Sequence, residues 1–548
     1  MQRRNFLKLA GLGAIALSLP RLGKSTAPLF QGLENQRPNI LFILADDLGW
    51  MDLRCQGSTL YETPNIDRLA ARGLRLTQAY AANPFCSPTR ASILTGLYPA
   101  RIGITVPVCH LPEVKLEKKL QERGGPTQQV LLSGSLTRLK PDYVTLAEAL
   151  HEAGYVTAHF GKWHLGFNRP HHPEDHYEPK DRGFDFEFPH APNVPSPVGS
   201  YFAPWKFIKT PPLDMQADEH IEDRMSTEAA QFIREHKDKT FYMNYWAYSV
   251  HAPWNAKLDY IEHFKAKADA KNPQHNPLYA AMVKSLDEGV GRLLAAVDES
   301  GLAERTIIVF FSDNGGYAYL PKKTDPAGFE NIPATSNLPL RSGKGSIYEG
   351  GTREPCIIHW PGKTKANTTS AILFQSVDFY PTLLAMCGLA PRAGLQLDGV
   401  NQVPALLGKG AVRECVFCHF PHGQTQEADK LNGAIPATYV RRGDWKLIRC
   451  YGDGDDGGDR FELYNLKDDI GETKNIAAEK PALVRELNDL ISGFLKDTAA
   501  VVPRRNPAYD PQAQSAPKRK QAPKQKTPEE KASLRRQRDA EGEPDVIS

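Results

Sequence analysis

The sequence predicts an α/β protein built around a parallel sheet, followed by a smaller α+β domain that carries an antiparallel sheet. Three observations lead there. The runs Asn39-Ile40-Leu41-Phe42-Ile43-Leu44-Ala45 and Thr306-Ile307-Ile308-Val309-Phe310-Phe311 are continuously apolar, as interior strands covered on both faces are. Between and after them, helix-period stretches alternate with further apolar runs, which is the order of an α/β fold. Beyond about Gln402 the texture changes to short β-rich segments separated by Gly and Asp turns. A chain of 548 residues exceeds one hydrophobic core, and we divide it into a leader (1–30), a large domain (36–400), a smaller domain (401–500) and a basic, disordered tail (501–548). A charged fraction of 24% with a formal charge of only +3 gives no sign of a nucleic-acid binder.

The leader reads Gln2-Arg3-Arg4-Asn5-Phe6-Leu7-Lys8, then runs uncharged from Leu9 to Pro20, too short to span a bilayer. It resembles a twin-arginine export signal and predicts export to a bacterial periplasm or cell envelope. The first strand ends in Asp46-Asp47, and ligand sites in parallel sheets gather at the carboxyl ends of strands. Two adjacent carboxylates there are costly unless a cation neutralises them. A helix start at Thr63–Ala70 leads to Cys86-Ser87-Pro88-Thr89-Arg90-Ala91-Ser92-Ile93-Leu94-Thr95-Gly96. Pro88 fits the first turn of a helix opening near Ser87, which places Cys86 at a positive helix end.

Residues 106–140 are irregular and polar and read as an insertion near the site. A helix over Leu146–Ala153 precedes the strand Val156–Phe160, and Lys162 and His164 follow it, two apart and so on one side in extended geometry. The stretch Phe167–Lys206, with His171, His172 and His176, reads as a surface loop rather than a zinc site, because no second ligand cluster accompanies it. A helix at Ala229–Glu235 and the strand Phe241–Trp246 lead to His251; a long helix, Leu278–Val297, leads to the strand that ends at Asp313 and Asn314. Gly315 and Gly316 suit a tight turn there.

The segment Arg341–Arg353 contains Gly343-Lys344 but lacks the phosphate-loop spacing, which excludes a nucleotide site. A strand at Cys356–Trp360 and a helix at Tyr380–Cys387 close the large domain. In the smaller one, strand segments 415–420, 438–450 and 461–465 precede a helix at Ala482–Leu495. Cys415-Val416-Phe417-Cys418-His419 has the haem-attachment spelling, but it lies in a strand-like context with no axial methionine.

The stretch beginning at Cys86 resembles the signature of the type I sulfatases, in which this cysteine is oxidised to formylglycine. Gly161-Lys162-Trp163-His164-Leu165-Gly166, the His251 segment, Asp313-Asn314 and Gly343-Lys344-Gly345 resemble that family in chain order, from about Pro38 to Gly399. The resemblance implies an alkaline phosphatase-like fold, a large mostly parallel mixed sheet sandwiched by helices. It also implies a sulfuric ester hydrolase, acting on a sulfate monoester such as a sulfated carbohydrate. A sulfate monoester is a poor electrophile shielded by its own oxygens, so the site must neutralise charge and activate a nucleophile. By the resemblance Asp46, Asp47, Asp313, Asn314 and modified Cys86 hold one divalent cation, calcium or else magnesium. Cys86, Arg90, Lys162, His164, His251 and Lys344 are then the catalytic residues, with Lys162, His164, His251 and Lys344 also contacting substrate. His251 with Lys344 would protonate the leaving alcohol, and His164 would take a proton from the nucleophile. The maturation partner implied is the formylglycine-generating enzyme. A phosphoester or phosphonate monoester hydrolase on the same scaffold is the alternative enzyme, and a glycan-binding relative with unmodified Cys86 the alternative outside catalysis.

Overall fold

The structure is a computed structural model that describes residues 37–514 apart from 209–211, 213, 321–331, 424–432 and 456. The leader and everything after 514 lie outside the described residues. Strands β1 (Asn39–Ala45) and β2 (Leu74–Tyr80) belong to the large sheet, and β3 (Val130–Leu131) lies outside it. The same sheet continues with β4 (Val156–Gly161), β5 (Phe186–Phe188), β6 (Phe241–Trp246), β7 (Thr306–Ser312), β8 (Arg353–His359), β9 (Thr368–Ser370) and β10 (Phe374–Gln375). Its order is β10-β2-β8-β7-β1-β6-β4-β5, with β9 also on β2.

All pairings are parallel except those that β8 makes with β2 and β7. This single reversal positions the site. The carboxyl ends of β1, β2, β4, β6 and β7 share one edge of the sheet, and the antiparallel β8 is entered from that edge. Residues just before β8 therefore meet residues just after the other five.

The central strand β1 is buried throughout, and its alternation serves two cores. Leu41, Ile43 and Ala45 face helices Ile221–Glu235 and Pro277–Glu299; Ile40, Phe42 and Leu44 face helices Cys86–Thr95, Leu146–Glu152 and Phe379–Met386. Double coverage is why the strand shows no polar alternation.

The smaller domain is an antiparallel sheet in simple sequence order, β11 (Cys415–Phe420), β12 (Ala437–Arg442), β13 (Trp445–Cys450) and β14 (Arg460–Asn465). One face packs Val440, Leu447 and Leu463 on Leu487 and Ile491 of the helix Pro481–Asp497. The other packs Val416, Cys418 and Ile448 on Tyr80, Ile347 and Tyr348 of the large domain. The segment 438–450 is thus two strands, turned at Gly443 with φ +57°, a conformation that a side chain disfavours. His419 sits inside β11 with both ring nitrogens engaged, by Thr438 and by the Val501 carbonyl. The C-x-x-C-H spelling is structural here.

The expected disorder of the tail is corrected at its start. Strand β15 (Arg504–Arg505) pairs with β3, and buried Asn506 donates to the carbonyls of Gly125 and Gln128. Residues 501–514 thereby tie down the 106–140 insertion. Composition missed this because a polar strand of two residues carries no apolar signal.

Candidate active site

Every residue expected at the site meets at the shared sheet edge. Asp46 and Asp47 leave β1, Asp313 and Asn314 leave β7, Lys162 and His164 leave β4, and His251 follows β6. The helix Cys86–Thr95 starts at Cys86 itself, with Phe85 as an extended N-cap and every residue buried. Asp47 and His164 adopt left-handed φ of +61° and +56°, strain of the kind that concentrates at functional positions.

The glycines after Asn314 serve a different purpose from the one expected. Neither Gly315 nor Gly316 has a positive φ. A Cβ at Gly315 would stand 1.9 Å from the carbonyl oxygen of Gly350, in the helical turn Glu349–Thr352, and one at Gly316 would stand 2.7 Å from Thr335 Cγ2, so close approach of neighbouring segments is what demands glycine.

Three carboxylates face three cations. Lys162 Nζ lies 2.5 Å from Asp46 Oδ2, Lys344 Nζ 2.6 Å from Asp47 Oδ2, and Arg90 Nη2 2.7 Å from Asp313 Oδ2. Arg90 is fully buried; it also donates Nε to Asp313 at 2.9 Å and Nη1 to the Lys162 carbonyl at 2.8 Å. The carboxylates therefore do not depend on a metal alone for neutralisation, as the Asp-Asp pair by itself suggested. Burial raises Asp46 against the pull of Lys162 and Arg90, and burial together with the Asp46 charge lifts Asp313 to about 6. Burial works to raise Asp47 too, but Lys344 and His251 outweigh it and hold that carboxyl well below the usual range. Burial disfavours the charge on Lys344, yet Asp47 keeps it firmly protonated.

The donors fit a hard divalent cation. Asp46 Oδ1 and Asn314 Oδ1 are buried oxygens with no hydrogen-bond partner, an arrangement that is costly unless something else occupies them. Ligand atoms of Asp46, Asp47 and His251 lie within 4.8 Å of one another. Asp313 is engaged on both oxygens, by Arg90 and by the Asp47 backbone N–H at 3.2 Å. An all-oxygen set from Asp46, Asp47, Asp313 and Asn314 suits a hard ion.

Cys86 Sγ is 3.3 Å from His164 Nδ1, and Ser87 Oγ donates to the His164 carbonyl at 2.7 Å. Burial raises the Cys86 thiol and keeps His164 neutral, the latter helped by Lys162. His251 Nδ1–H donates to the Ala252 carbonyl at 2.6 Å, leaving Nε2 bare 3.6 Å from Asp47 Oδ2. Burial and Lys344 hold that imidazole down to about 3.

Other candidates stay apart. His171, His172 and His176 are exposed, His172 paired with Glu174 and His176 near Asp181. Two positioning residues were not foreseen. Buried Glu222 accepts from the backbone N–H groups of Tyr248 and Ser249 at 2.9 and 2.8 Å, fixing the approach to His251. His110 Nδ1 stands 3.0 Å from His164 Nε2. Glu222 lies in the first turn of the helix Ile221–Glu235 with no motif around it, and only the closeness of the 106–140 stretch to Cys86 hints at His110.

Similarity to known proteins agrees with this geometry. The family model described as Sulfatase matches residues 38–389, and one described as N-sulphoglucosamine sulphohydrolase, C-terminal, matches 343–496. A sulfatase of Formosa agariphila is 32% identical over 530 residues, covering 84% of this chain and 89% of the relative. The N-acetylgalactosamine-6-sulfatase of Homo sapiens is 33% identical over 447 residues, covering 78% and 75%. Among solved structures, Ps i-CgsB in complex with k-i-k-neocarrahexaose superimposes with a TM-score of 0.66 at 26% identity, covering 88% of this chain and 96% of that one. With the matched region spanning most of the chain and the acidic pocket, helix-start cysteine and basic residues all in place, this protein is a member of the type I sulfatase family.

Proposed function

We propose that this sulfatase removes sulfate from a sulfated carbohydrate, with Cys86 matured to formylglycine and calcium in the acidic pocket. The observation that carries the reading is the juxtaposition of Cys86 Sγ, His164 Nδ1 and the three carboxylate–cation pairs in one buried cluster. The Sγ atom stands where an oxygen of the hydrated aldehyde would stand. Such a hydrate supplies one hydroxyl to attack sulfur and a second whose deprotonation allows sulfate to leave. A divalent cation held by Asp46, Asp47, Asp313 and Asn314 supplies a Lewis acid for sulfate oxygens. Carboxylate and amide oxygens in a water-poor pocket favour calcium over magnesium, which sheds its waters reluctantly.

The remaining roles follow from charge. Arg90, Lys162 and Lys344 balance Asp46, Asp47 and Asp313 one for one, so a bound divalent ion leaves the cluster with an excess of positive charge. That excess favours an anionic ester and the charge that builds on its oxygens. Arg90 is locked by three donated bonds and holds Asp313 in place. Lys162 and Lys344 each make one short carboxylate contact and keep further N–H bonds for sulfate. Lys344 and His251 both stand at Asp47, 2.6 and 3.6 Å from its Oδ2, and as the part-exposed members of the cluster they would together protonate the leaving alcohol.

Relatives named N-acetylgalactosamine-6-sulfatase, from mammals and from Bacteroides thetaiotaomicron, support a 6-O-sulfated hexosamine or a similar sulfated sugar as substrate. The paired arginines Arg3-Arg4 ahead of an uncharged stretch support export to the periplasm or envelope, and the formylglycine requires its generating enzyme during maturation. The test is sulfate release by protein co-expressed with that enzyme, measured on nitrophenyl sulfate, 6-sulfated N-acetylgalactosamine and the matching phosphate and phosphonate esters. The expected outcome is higher kcat/KM on the sulfates. A preference for phosphate or phosphonate would overturn it, and activity on nitrophenyl sulfate alone would remove the sugar assignment.

A further inference from the structure

The geometry points to His110 as the positioning residue that sets the tautomer of His164, by accepting from its Nε2–H and so presenting a bare Nδ1 to the nucleophile. This rests on the sulfatase reading only for its consequence in turnover; the hydrogen bonding stands by itself. His164 touches Cys86 Sγ through Nδ1 at 3.3 Å and His110 Nδ1 through Nε2 at 3.0 Å. The two nitrogens of an imidazole have distinct roles, and which one carries the proton is set by the bond the other makes.

Two proton arrangements satisfy the chain Cys86–His164–His110. In one, His164 Nε2–H donates to His110 Nδ1, and Nδ1 of His164 is free to accept from residue 86. In the other, His110 Nδ1–H donates to His164 Nε2, and His164 donates toward residue 86. Cys86 Sγ contacts His164 Nδ1, and a thiol, like the hydroxyl that would replace it, pairs its own proton only if that nitrogen accepts. Only the first arrangement permits that, and it leaves His110 protonated at Nε2. The same arrangement is the one that chemistry needs. A base at this position takes one proton onto Nδ1 from the hydroxyl that replaces Sγ, becoming an imidazolium whose Nε2–H is still held by His110.

His110 is built to do this rather than placed by accident. Its backbone is clamped from both sides by Arg138, a fully buried guanidinium that donates to the carbonyls of Cys109 at 3.4 Å and Leu111 at 2.9 Å. Arg138 also donates to its own neighbour's carbonyl at Thr137 and packs over the Phe167 ring at 4.2 Å. The base of the insertion is zipped by Leu136 N–H to the Gly103 carbonyl and Thr105 N–H to Ser135 Oγ. The His110 and His164 rings lie 5.3 Å apart, tilted by 38°. The groups facing the pair are Lys162, Arg90 and His251 around His164, and Lys162 near His110. Lys162 and Arg90 offer no acceptor, and the bare Nε2 of His251 stands at Asp47 Oδ2, so the acceptor in contact with His164 Nε2 is His110.

The test uses the full-length, calcium-loaded protein with nitrogen-15 histidine. Nuclear magnetic resonance should find His164 protonated at Nε2 and bare at Nδ1 in the wild type. His110→Leu should lose that single tautomer and lower kcat on nitrophenyl sulfate by about tenfold, roughly one hydrogen bond's worth, at nearly unchanged KM. His110→Asn, whose Oδ1 can occupy the place of Nδ1, should restore both. Finding His164 protonated at Nδ1 in the wild type overturns the assignment. So does a His110→Leu protein that keeps the wild-type tautomer and kcat, or a stably folded His110→Asn protein that restores neither. The wild-type tautomer decides the question even where His110→Leu does not fold. Since that readout requires no turnover, a wild type that releases no sulfate would fail the sulfatase reading without touching this one.

Discussion

Replacing Arg90 by Met should be among the most damaging single changes in the large domain, and its cost should depend on Asp313. Met keeps much of the aliphatic volume, so the cavity left is small. What is lost is a fully buried cation with two bonds to Asp313, at 2.9 and 2.7 Å, one to the Lys162 carbonyl at 2.8 Å, and a 3.7 Å approach to Asp46. Removing one partner of a buried pair leaves an uncompensated charge and costs about 3–5 kcal/mol. Asp313, which burial already raises, would then have only the Asp47 N–H. The assay is urea denaturation in the presence of a chelator, where the side-chain pair is the main compensation, run on Arg90→Met, Asp313→Asn and the double variant. In the double variant no charge is stranded, so it should be less destabilised than the sum of the singles by about 2–3 kcal/mol. Added calcium should recover part of the loss in Arg90→Met, because a cation can stand in for the guanidinium. Strict additivity, or a loss below about 1 kcal/mol for Arg90→Met, would refute the account of the pair.

Three further outcomes are expected. Calcium at about a hundredfold excess over its dissociation constant should stabilise the wild type by about 2.7 kcal/mol, and Asn314→Ala, which removes a partnerless buried oxygen, should lose much of that gain; an unchanged gain would place the ion elsewhere. His159 is buried among Phe184, Trp163 and Trp246, and burial, with Arg90 nearby, holds it down to about 3, against about 6.5 when unfolded. The unfolded chain therefore binds the extra proton first, so stability should fall as pH drops from about 6.5 toward 3, by up to about 1.4 kcal/mol per unit; His159→Phe should flatten that slope, and an identical pH profile would exclude the residue. Ending the chain at residue 500 removes the β15 pairing, the Val501 contact with His419 and the Asn506 bonds, and at about 1 kcal/mol per bond should cost roughly 2–4 kcal/mol in thermal unfolding. A melt identical to the wild type would show these contacts to be idle.

What could be read from the sequence was whatever leaves a local pattern. Doubly covered strands such as Asn39–Ala45 announce themselves by unbroken apolarity, and the polar residues that interrupt them at Asp46 and Asp313 are the site. The parallel sheet then makes the convergence of Lys162, His251 and Asn314 a matter of topology. Non-local pairings left no such trace. Arg90 against Asp313, Lys344 against Asp47 and His110 against His164 join residues far apart in the chain, so a metal was invoked for neutralisation that the protein's own cations partly provide. Strand β2, half polar along LRLTQAY, leaves no strand signal in the sequence because its half-buried Arg75, Thr77 and Gln78 break the apolar run. The order of tail residues 504–505 has no sequence signature because it comes from backbone pairing with β3, which composition does not report.

If residue 86 is the modified nucleophile, its chemical state in active protein must show it. Protein purified from a host with the generating enzyme should be digested and the peptide spanning Cys86 to Arg90 weighed while sulfate release is measured on the same sample. An aldehyde or its hydrate is expected in place of the thiol, in a fraction that tracks specific activity across preparations and vanishes together with activity in Cys86→Ala. A fully active preparation in which Cys86 is present as the thiol would contradict it.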